Sequence, residues 1–180
     1  GYYNDPEASA AVIEDGWLHS GDLAQIDEEG YVRITGRKKE LIVSSNGKKI
    51  FPARIESLFK LEPLVSQVLL VGDRLPYVAA LLTVNPAMSS LVAGLEPDVE
   101  KTTAGLARSA AVKSEVQRII QRVNRQLAPF EQIRKFHILD RDFSLEAGEL
   151  TPTMKLRRSK VLENFRADVE RLYAGRDEAF

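Results

Sequence analysis

The sequence contains no cysteine and only two histidines, His19 and His137. A chain without thiolates has neither a disulfide framework nor a thiolate metal site, and two imidazoles do not suffice for a structural zinc centre. The formal net charge of -1 lacks the positive bias of a nucleic-acid-binding protein, so no nucleic-acid partner is expected. No apolar run is long enough to span a bilayer and no signal-peptide pattern is present, which predicts a cytoplasmic location.

The chain is short and does not begin with methionine. Its 180 residues suit one domain of ordinary size, or one domain joined to a fragment of another. Residues 21–26 and 30–35 predict a strand–turn–strand hairpin, but residues 1–36 hold too few apolar side chains to build a core of their own. We therefore expect a piece cut from a longer protein.

The most informative stretch lies between residues 30 and 56. Val32 and Ile34 alternate with polar residues, as in a half-buried strand, and a short apolar run follows at 41–43. Between them lies Gly-Arg-Lys-Lys-Glu at 36–40, a short connection with no apolar residue to tie it to a core. Such a segment is suited to act as a joint between two bodies.

Beyond this stretch the hydrophobic pattern predicts strands and a small α+β fold. Two dense apolar runs, 65–71 and 77–84, predict buried antiparallel strands, and 136–139 predicts a third. A short turn-connected hairpin is predicted at 41–50. The expected fold class is therefore α+β, with a small mixed sheet of about three strands plus a short two-stranded hairpin, flanked by helices.

Several segments predict the flanking helices and the loops between them. Residues 112–127 carry apolar side chains at helical spacing and predict the clearest amphipathic helix. A last helix is predicted from Ser159 and is ended by Gly175. Residues 94–105 are turn-rich, and 140–154 lack periodicity, which predicts an exposed loop.

Four short segments form three ordered motifs along the chain. They read Gly-Trp-Leu-His-Ser-Gly-Asp-Leu at 16–23, Gly-Tyr-Val-Arg-Ile-Thr-Gly-Arg-Lys-Lys-Glu at 30–40 with Asn-Gly-Lys-Lys-Ile-Phe-Pro-Ala-Arg-Ile-Glu at 46–56, and Leu-Thr-Pro-Thr-Met-Lys at 150–155. The chain resembles the adenylate-forming enzymes, which include acyl-CoA synthetases, luciferases and peptide-synthetase adenylation domains. The resemblance implies that residues 1–37 end an N-terminal AMP-binding domain, 38–40 form a hinge and 41–180 form a C-terminal lid domain.

The resemblance implies nucleotide-binding roles for Asp22 and Arg37. In the family, the aspartate after Gly21 binds the ribose of ATP and the arginine after the next motif glycine serves the nucleotide. A carboxylate accepts hydrogen bonds from vicinal hydroxyls, and a guanidinium fork suits hydroxyl or phosphate oxygens. The alternatives are a turn aspartate that bonds its own backbone and a surface arginine paired with Glu40.

Two lysines are assigned by the same alignment. Lys39 falls at the family's hinge position, although Lys38 is an equally charged rival. Lys155 falls where a family lysine assists adenylate formation, and its ammonium can approach an α-phosphate and the attacking carboxylate. Many members carry glycine before that lysine, whereas this chain has Met154, a form more like the long-chain fatty acyl-CoA synthetases. The alternative is a solvated lysine in a basic run.

The turn at Gly47 is implied to line the pantetheine tunnel of coenzyme A, because glycine lets a ligand approach the backbone. Lys48, Lys49 and Arg157 are candidates for the phosphates of coenzyme A. The competing interpretation is that these basic residues are simply solvated. His137, within a predicted strand, is interpreted as structural.

No stretch supplies the phosphate loop or the Mg²⁺-binding carboxylate that adenylation needs. We therefore expect the C-terminal portion of a long-chain fatty acid:CoA ligase, inactive alone. Its expected substrates are ATP, a fatty acid and coenzyme A, with Mg²⁺ bound by the missing N-terminal domain and room for peripheral membrane contact. The alternatives are the lid of an aryl-CoA ligase or of a peptide-synthetase-type enzyme, and a non-catalytic binding module.

Overall fold

The computed structural model describes residues 1–174 and divides the chain into two compact units. The first unit is Gly1–Leu41, and the second begins at Ile42. The division therefore falls just after the charged segment 38–40. The assignment of that segment as a hinge stays a prediction.

The first unit consists of one short helix and two hairpins. Helix α1 spans Pro6–Val12, with Pro6 at its first turn and the Asp5 carboxylate accepting from the amide of Ala8 at 2.8 Å. The strands pair antiparallel in two hairpins, β1 with β2 and β3 with β4. Their bounds are Ile13–Glu14 (β1), Trp17–Leu18 (β2), Asp22–Ile26 (β3) and Val32–Arg37 (β4).

No residue of the first unit is buried. Large apolar side chains stand in solvent instead, among them Tyr3 at 93% exposure and Trp17 at 77%. This confirms that residues 1–36 do not build a core of their own. An exposed apolar set of this kind marks a surface suited to contact another body.

The second unit is built on a mixed three-stranded sheet and a separate hairpin. Strands β5 and β6 form the hairpin, and β7, β8 and β9 form the sheet in that order, with β7 antiparallel and β9 parallel to β8. Their bounds are Ile42–Val43 (β5), Lys49–Ile50 (β6), Val65–Val71 (β7), Val78–Val84 (β8) and Ile133–Ile138 (β9). The predicted fold class is confirmed.

Helices cover both faces of this sheet. Alternate residues of β8 point to opposite sides, so Leu82 joins one hydrophobic cluster and Leu81 joins the other. Helices α2, α3 and α4 pack on the Leu82 side, while α5 and α6 pack on the Leu81 side. Their bounds are Pro52–Leu58 (α2), Thr103–Arg108 (α3), Ala110–Asn124 (α4), Arg158–Asn164 (α5) and Arg166–Tyr173 (α6).

Several predictions differ from the structure in part. The last helix is not continuous, because the backbone leaves helical angles at Phe165, whose buried ring packs edge-on against Phe143 at 5.9 Å. Residues 94–105, predicted to be turn-rich, hold turns and bends as far as Thr102, and α3 begins at Thr103. The segment 140–154 is not simply an exposed loop, since Phe143, Glu149 and Leu150 within it are buried. Gly175, predicted to end the last helix, lies outside the described residues.

Candidate functional site

Asp22 and Arg37 are brought together by the register of the β3–β4 hairpin. Asp22 begins β3, directly opposite Arg37 at the end of β4, and the Arg37 Nε lies 3.1 Å from the Asp22 Oδ1. The arginine side chain is 63% exposed and the aspartate side chain 29% exposed. Arg37 thus pairs with Asp22, whereas the sequence offered Glu40 as its partner. A surface pair contributes little stability, so both groups stay available to a polar ligand.

The charged segment 38–40, predicted to be a hinge, follows Arg37 directly. Lys38–Glu40 form one turn of 3-10 helix, and the amide of Lys38 donates to the carbonyl of Gly21 at 2.8 Å. The backbone of Lys38 is therefore tied to the hairpin. Lys39 is exposed, so a change in its backbone angles would displace no buried side chain.

Lys155 lies at the end of a tight, hydrogen-bonded loop. The Thr151 amide donates to the Lys155 carbonyl at 2.8 Å, and the Lys155 amide donates to the Thr151 hydroxyl at 3.0 Å. Leu150 and Leu156 close the loop as an isolated bridge. The side chain of Lys155 is exposed, and within residues 1–174 its ammonium has no ion-pair partner. The loop therefore holds its backbone in shape while presenting a cation to solvent.

Met154 accounts for the sharpness of this loop. Its φ is 60°, in the left-handed region that glycine favours and most other residues avoid. The methionine thus adopts a backbone conformation that glycine would adopt more readily. The side chain is 64% exposed, so its conformation is imposed by the loop's hydrogen bonds rather than by burial.

Ion pairs flank the loop on both sides. On the N-terminal side, the fully buried Glu149 carboxylate accepts from both terminal nitrogens of Arg141, at 2.7 and 2.8 Å. On the C-terminal side, Arg158 pairs with Glu56 and donates to the Leu70 carbonyl at 3.2 Å. The Glu56 carboxylate in turn accepts from the Leu70 amide at 2.8 Å, which satisfies the open edge of β7.

Gly47 occupies an exposed turn in the β5–β6 hairpin. Its φ is +77°, a Cβ added there would meet nothing within 4 Å, and its amide donates to the Ser44 carbonyl at 2.8 Å. The amide of Ser45 donates to the carbonyl of Leu75 at 3.0 Å, which fixes the turn beside the β7–β8 connection. A cleft of about 200 Å³ borders the turn and includes Asn46 and Phe130 in its lining.

The basic candidates for coenzyme A do not form a single cluster. Lys48 lies in the turn, with its ammonium 5.8 Å from the centre of the Phe130 ring, and Lys49 is the exposed first residue of β6. Arg157 belongs to a different part of the unit, because its amide donates to the Glu149 carbonyl at 2.8 Å, at the base of the Lys155 loop.

The Lys155 loop and the Gly47 turn lie at opposite ends of β7. Met154 lines a groove of about 430 Å³ together with the first residues of that strand, Val65–Val68. The Gly47 turn instead bonds to the connection that follows the strand, through Ser45. The two features therefore contact different parts of the segment that contains β7.

Neither a metal centre nor a membrane-crossing helix is found among residues 1–174. In that range no group of three or more His, Asp or Glu side chains is placed to hold a metal ion. No helix there combines the length and apolar character needed to cross a membrane.

The Nε2 of His137 lies 3.1 Å from a carboxylate oxygen of Asp168, and burial lowers the pKa of His137 against the opposing effect of that carboxylate. This pair links β9 to α6.

Glu149 is the residue of the site that the sequence did not predict. It accepts four hydrogen bonds and joins the β9 exit, the 144–149 turn and α5. Arg141 lowers the pKa of this carboxyl to about 2, against the opposing effect of burial. Its position directly before the Leu-Thr-Pro-Thr-Met-Lys stretch is the one signal that pointed to it.

Curated relatives of the chain are long-chain fatty acid CoA ligases. Long-chain-fatty-acid–CoA ligase FadD15 of Mycobacterium tuberculosis is 39% identical over 177 residues, covering 96% of this chain and 29% of that protein. Long-chain-fatty-acid–CoA ligase ACSBG1 of Homo sapiens is 36% identical over 200 residues, covering 96% of this chain and 26% of that protein. The chain thus spans less than a third of the length of these relatives.

Solved structures and a family model agree with these relatives. The adenylation domain of the carboxylate reductase from Mycobacterium chelonae is similar with a TM-score of 0.80 at 26% identity, covering 97% of this chain and 26% of that chain. The adenylation domain of the carboxylic acid reductase from Segniliparus rugosus, solved with AMP and a co-purified carboxylic acid, has a TM-score of 0.77 at 26% identity, with the same coverage. Residues 39–177, most of the chain, match the model described as the AMP-binding enzyme C-terminal domain. The chain therefore belongs to the family of AMP-binding enzyme C-terminal domains.

Proposed function

We propose that this chain is the C-terminal portion of a long-chain fatty acid:CoA ligase. The parent enzyme forms acyl-AMP from ATP and a fatty acid and then transfers the acyl group to coenzyme A. The proposal depends most on one observation, the placement of an exposed lysine loop and an exposed glycine turn at opposite ends of β7. One domain can thereby serve two successive reactions with two different surfaces.

In the first reaction, an oxygen of the fatty acid carboxylate attacks the α-phosphorus of ATP. A bond forms between that oxygen and phosphorus, the bond to the bridging oxygen breaks, and pyrophosphate leaves. Lys155 donates hydrogen bonds to oxygens of the α-phosphate, on which negative charge gathers in the transition state. Asp22 accepts from the ribose hydroxyls, and Arg37, held 3.1 Å from it, fixes its orientation and adds a second contact to the nucleotide. The proposal assigns Mg²⁺ to the N-terminal domain.

In the second reaction, the lid turns at Lys39 and presents the Gly47 turn. The thiol of coenzyme A attacks the acyl carbonyl, the thioester forms, the acyl–phosphate bond breaks and AMP leaves. The absence of a side chain at Gly47 leaves passage for the pantetheine arm. In this proposal Lys48 and Lys49 meet phosphates of coenzyme A, while Arg157 lies with the Lys155 loop and would act only if the ligand extends there.

The relatives favour a long-chain ligase over the other adenylating enzymes. The long-chain-fatty-acid–CoA ligases are 36–39% identical to this chain, whereas the carboxylic acid reductase domains are 26% identical. A non-catalytic module would not need Asp22, Arg37 and Lys155 together. A cytoplasmic location and peripheral contact with membranes, where fatty acids partition, belong to the same proposal.

The test compares Lys155→Ala with Lys160→Ala in the full-length parent enzyme. Lys160 is a matched control because it lies in the same basic run but pairs with Glu163 at 3.0 Å. We expect Lys155→Ala to slow acyl-AMP formation by a factor on the order of 10² and to leave thioester formation from supplied acyl-AMP nearly intact. Lys160→Ala should change neither reaction.

The isolated chain supplies the complementary measurement. Incubated with ATP, palmitate and coenzyme A, it should release no AMP, because the proposed phosphate loop and Mg²⁺ site belong to the N-terminal domain. Appreciable AMP release by the isolated chain, or equal losses in both reactions of Lys155→Ala, would contradict the proposal.

A further inference from the structure

Glu149 is a buried charge placed next to an exposed, functional loop. Its exposure is 0%, although glutamate is among the residues least often fully buried. The loop that follows it carries Lys155. A buried carboxylate is retained in a fold only where its hydrogen bonds are well satisfied, which raises the question of what this one stabilises.

The contacts of Glu149 join three segments at the base of the loop. Its side chain accepts from Arg141, at 2.7 and 2.8 Å, from the Ser144 amide at 3.0 Å and from the Asn164 side chain at 2.8 Å. Its backbone carbonyl accepts from the Arg157 amide at 2.8 Å, just beyond the loop. Glu149 therefore ties the two ends of the 150–156 loop to each other and to α5.

Glu149 shares the anchoring of the loop with Leu150, which is buried in the hydrophobic cluster on the Leu81 side of the sheet, and with Leu156, which packs against that cluster. The loop's own closure consists of the Leu150–Leu156 bridge and the hydrogen bonds of Thr151, which fix its internal shape. Glu149 adds a polar link between the start of the loop and the end of α5, through Asn164, while Arg158 at the start of α5 pairs with Glu56 of α2. Arg141 is held in turn over the Phe165 ring, 4.6 Å from its centre.

We propose that Glu149 is a positioning residue for Lys155 in acyl-AMP formation. This inference depends on the proposed function. Being fully buried, Glu149 touches no substrate; it acts by holding the loop so that the Lys155 ammonium reaches the α-phosphate without first having to order its backbone. The hydrogen bonds of the Gly47 turn go instead to Ser44 and, through Ser45, to Leu75, so we expect thioester formation not to depend on Glu149.

The test uses Glu149→Gln in the full-length enzyme, with Glu163→Gln as the matched control. Glutamine keeps the shape of the Glu149 side chain but removes the negative charge to which four N–H groups donate. Glu163, by contrast, is an exposed helix residue that pairs with Lys160. We expect Glu149→Gln to lower the adenylation rate at saturating ATP by about tenfold or more. Thioester formation from supplied acyl-AMP should stay within about twofold, and Glu163→Gln should change neither.

A double-mutant cycle separates positioning from general structural damage. If Glu149 acts through Lys155, adding Glu149→Gln to Lys155→Ala should cause no further loss of adenylation. Additive losses, or equal losses in both half-reactions, would overturn the proposal. If Glu149→Gln does not fold, Asn164→Ala serves in its place, because it removes one of the four hydrogen bonds to Glu149. This variant should give a smaller loss of rate, confined to adenylation. A loss in both reactions, or no loss in either, would overturn the proposal in the same way. If Lys155→Ala itself leaves adenylation unchanged, the proposed function fails instead.

Discussion

The side chains proposed to act on the nucleotide are few and lie on the surface. Asp22 and Arg37 are paired by strand register, and Lys155 stands on a closed loop. In each case backbone hydrogen bonding sets the position, while the side chain stays accessible. This combination is expected of groups that meet a ligand rather than a core.

Replacing Asp22 tests the nucleotide contact. In the full-length enzyme, Asp22→Asn should raise KM for ATP by about tenfold or more, because charge-assisted hydrogen bonds of about 1.5–3 kcal/mol to the ribose are lost. Asp27→Asn is the control on the same hairpin, since Asp27 only accepts from turn amides and asparagine suits turns. Initial-rate measurements at varied ATP decide; equal KM values for the two variants would contradict the assignment.

Met154 offers a test of the loop's backbone strain. Met154→Gly should raise the free energy of unfolding of the chain by up to about 1 kcal/mol. The left-handed backbone conformation is strained for a non-glycine residue, and relief of that strain should outweigh the extra backbone entropy that glycine loses on folding. Met154→Leu, which keeps a side chain at φ 60°, should leave it nearly unchanged. Urea denaturation compares the two, and a Met154→Gly protein less stable than Met154→Leu would rule out strain at this position.

Glu149 makes stability depend on pH in a defined window. Arg141 holds the pKa of this carboxyl at about 2, below its ordinary value of 4.5, so its stabilisation is present above the ordinary value and is lost as pH falls toward 2. The depression corresponds to about 3 kcal/mol at most. The difference in unfolding free energy between the native chain and Glu149→Gln should shrink as pH falls from about 5 to about 3. A difference that does not change with pH would show that the charge contributes nothing.

At the scale of elements, the central strand organises the second unit. Every residue of β8 is buried, and alternate side chains enter the two hydrophobic clusters on either face of the sheet. Such a strand reads as a continuous apolar run, which is why the sequence predicted it within one residue of its true start. The stability of the unit should therefore depend strongly on β8.

Truncation of Leu82 measures that dependence. Leu82→Ala should lower the free energy of unfolding by about 2–5 kcal/mol, since it leaves a cavity in a fully buried site. Leu61→Ala is the control, because Leu61 is 83% exposed and should change stability by less than about 0.5 kcal/mol. Denaturant unfolding of the two variants decides; similar losses would mean that the core is misassigned.

Other elements were hidden from sequence reasoning for identifiable reasons. Helix α3 contains Gly105, which disfavours helix, yet a Cβ there would lie 2.2 Å from the Glu100 carbonyl, so close packing requires the glycine. Phe165 interrupts an otherwise helical pattern because its ring packs on Phe143 and Arg141. Both effects are tertiary contacts, and local periodicity carries no information about them.

The residues of the candidate site likewise divide into those that the sequence predicts and those that tertiary contacts alone identify. The sequence motifs identify Lys155, Asp22 and Arg37. That Asp22 and Arg37 pair with each other is known only from the register of β3 and β4. Glu149 was missed because a glutamate in an aperiodic segment is ordinarily solvated. Only the structure places its four hydrogen-bond donors around it.

The whole molecule combines one unit without a core and one unit with two. The first unit, Gly1–Leu41, exposes its aromatic side chains, whereas the second buries both faces of its sheet. Under the proposed function, the first unit belongs to the N-terminal domain and the second is the lid that turns about residues 38–40. The two surfaces of that lid, at opposite ends of β7, would then be used in turn.

The most direct measurement follows both half-reactions in the full-length enzyme for Lys155→Ala and Gly47→Leu. A side chain at Gly47 has open space around it, so the fold should tolerate it apart from the strain of φ +77°, while the passage for pantetheine would be blocked. Lys155→Ala should lose adenylation and keep thioester formation, and Gly47→Leu should do the reverse. If each variant lost both half-reactions equally, the two loops would not serve separate steps.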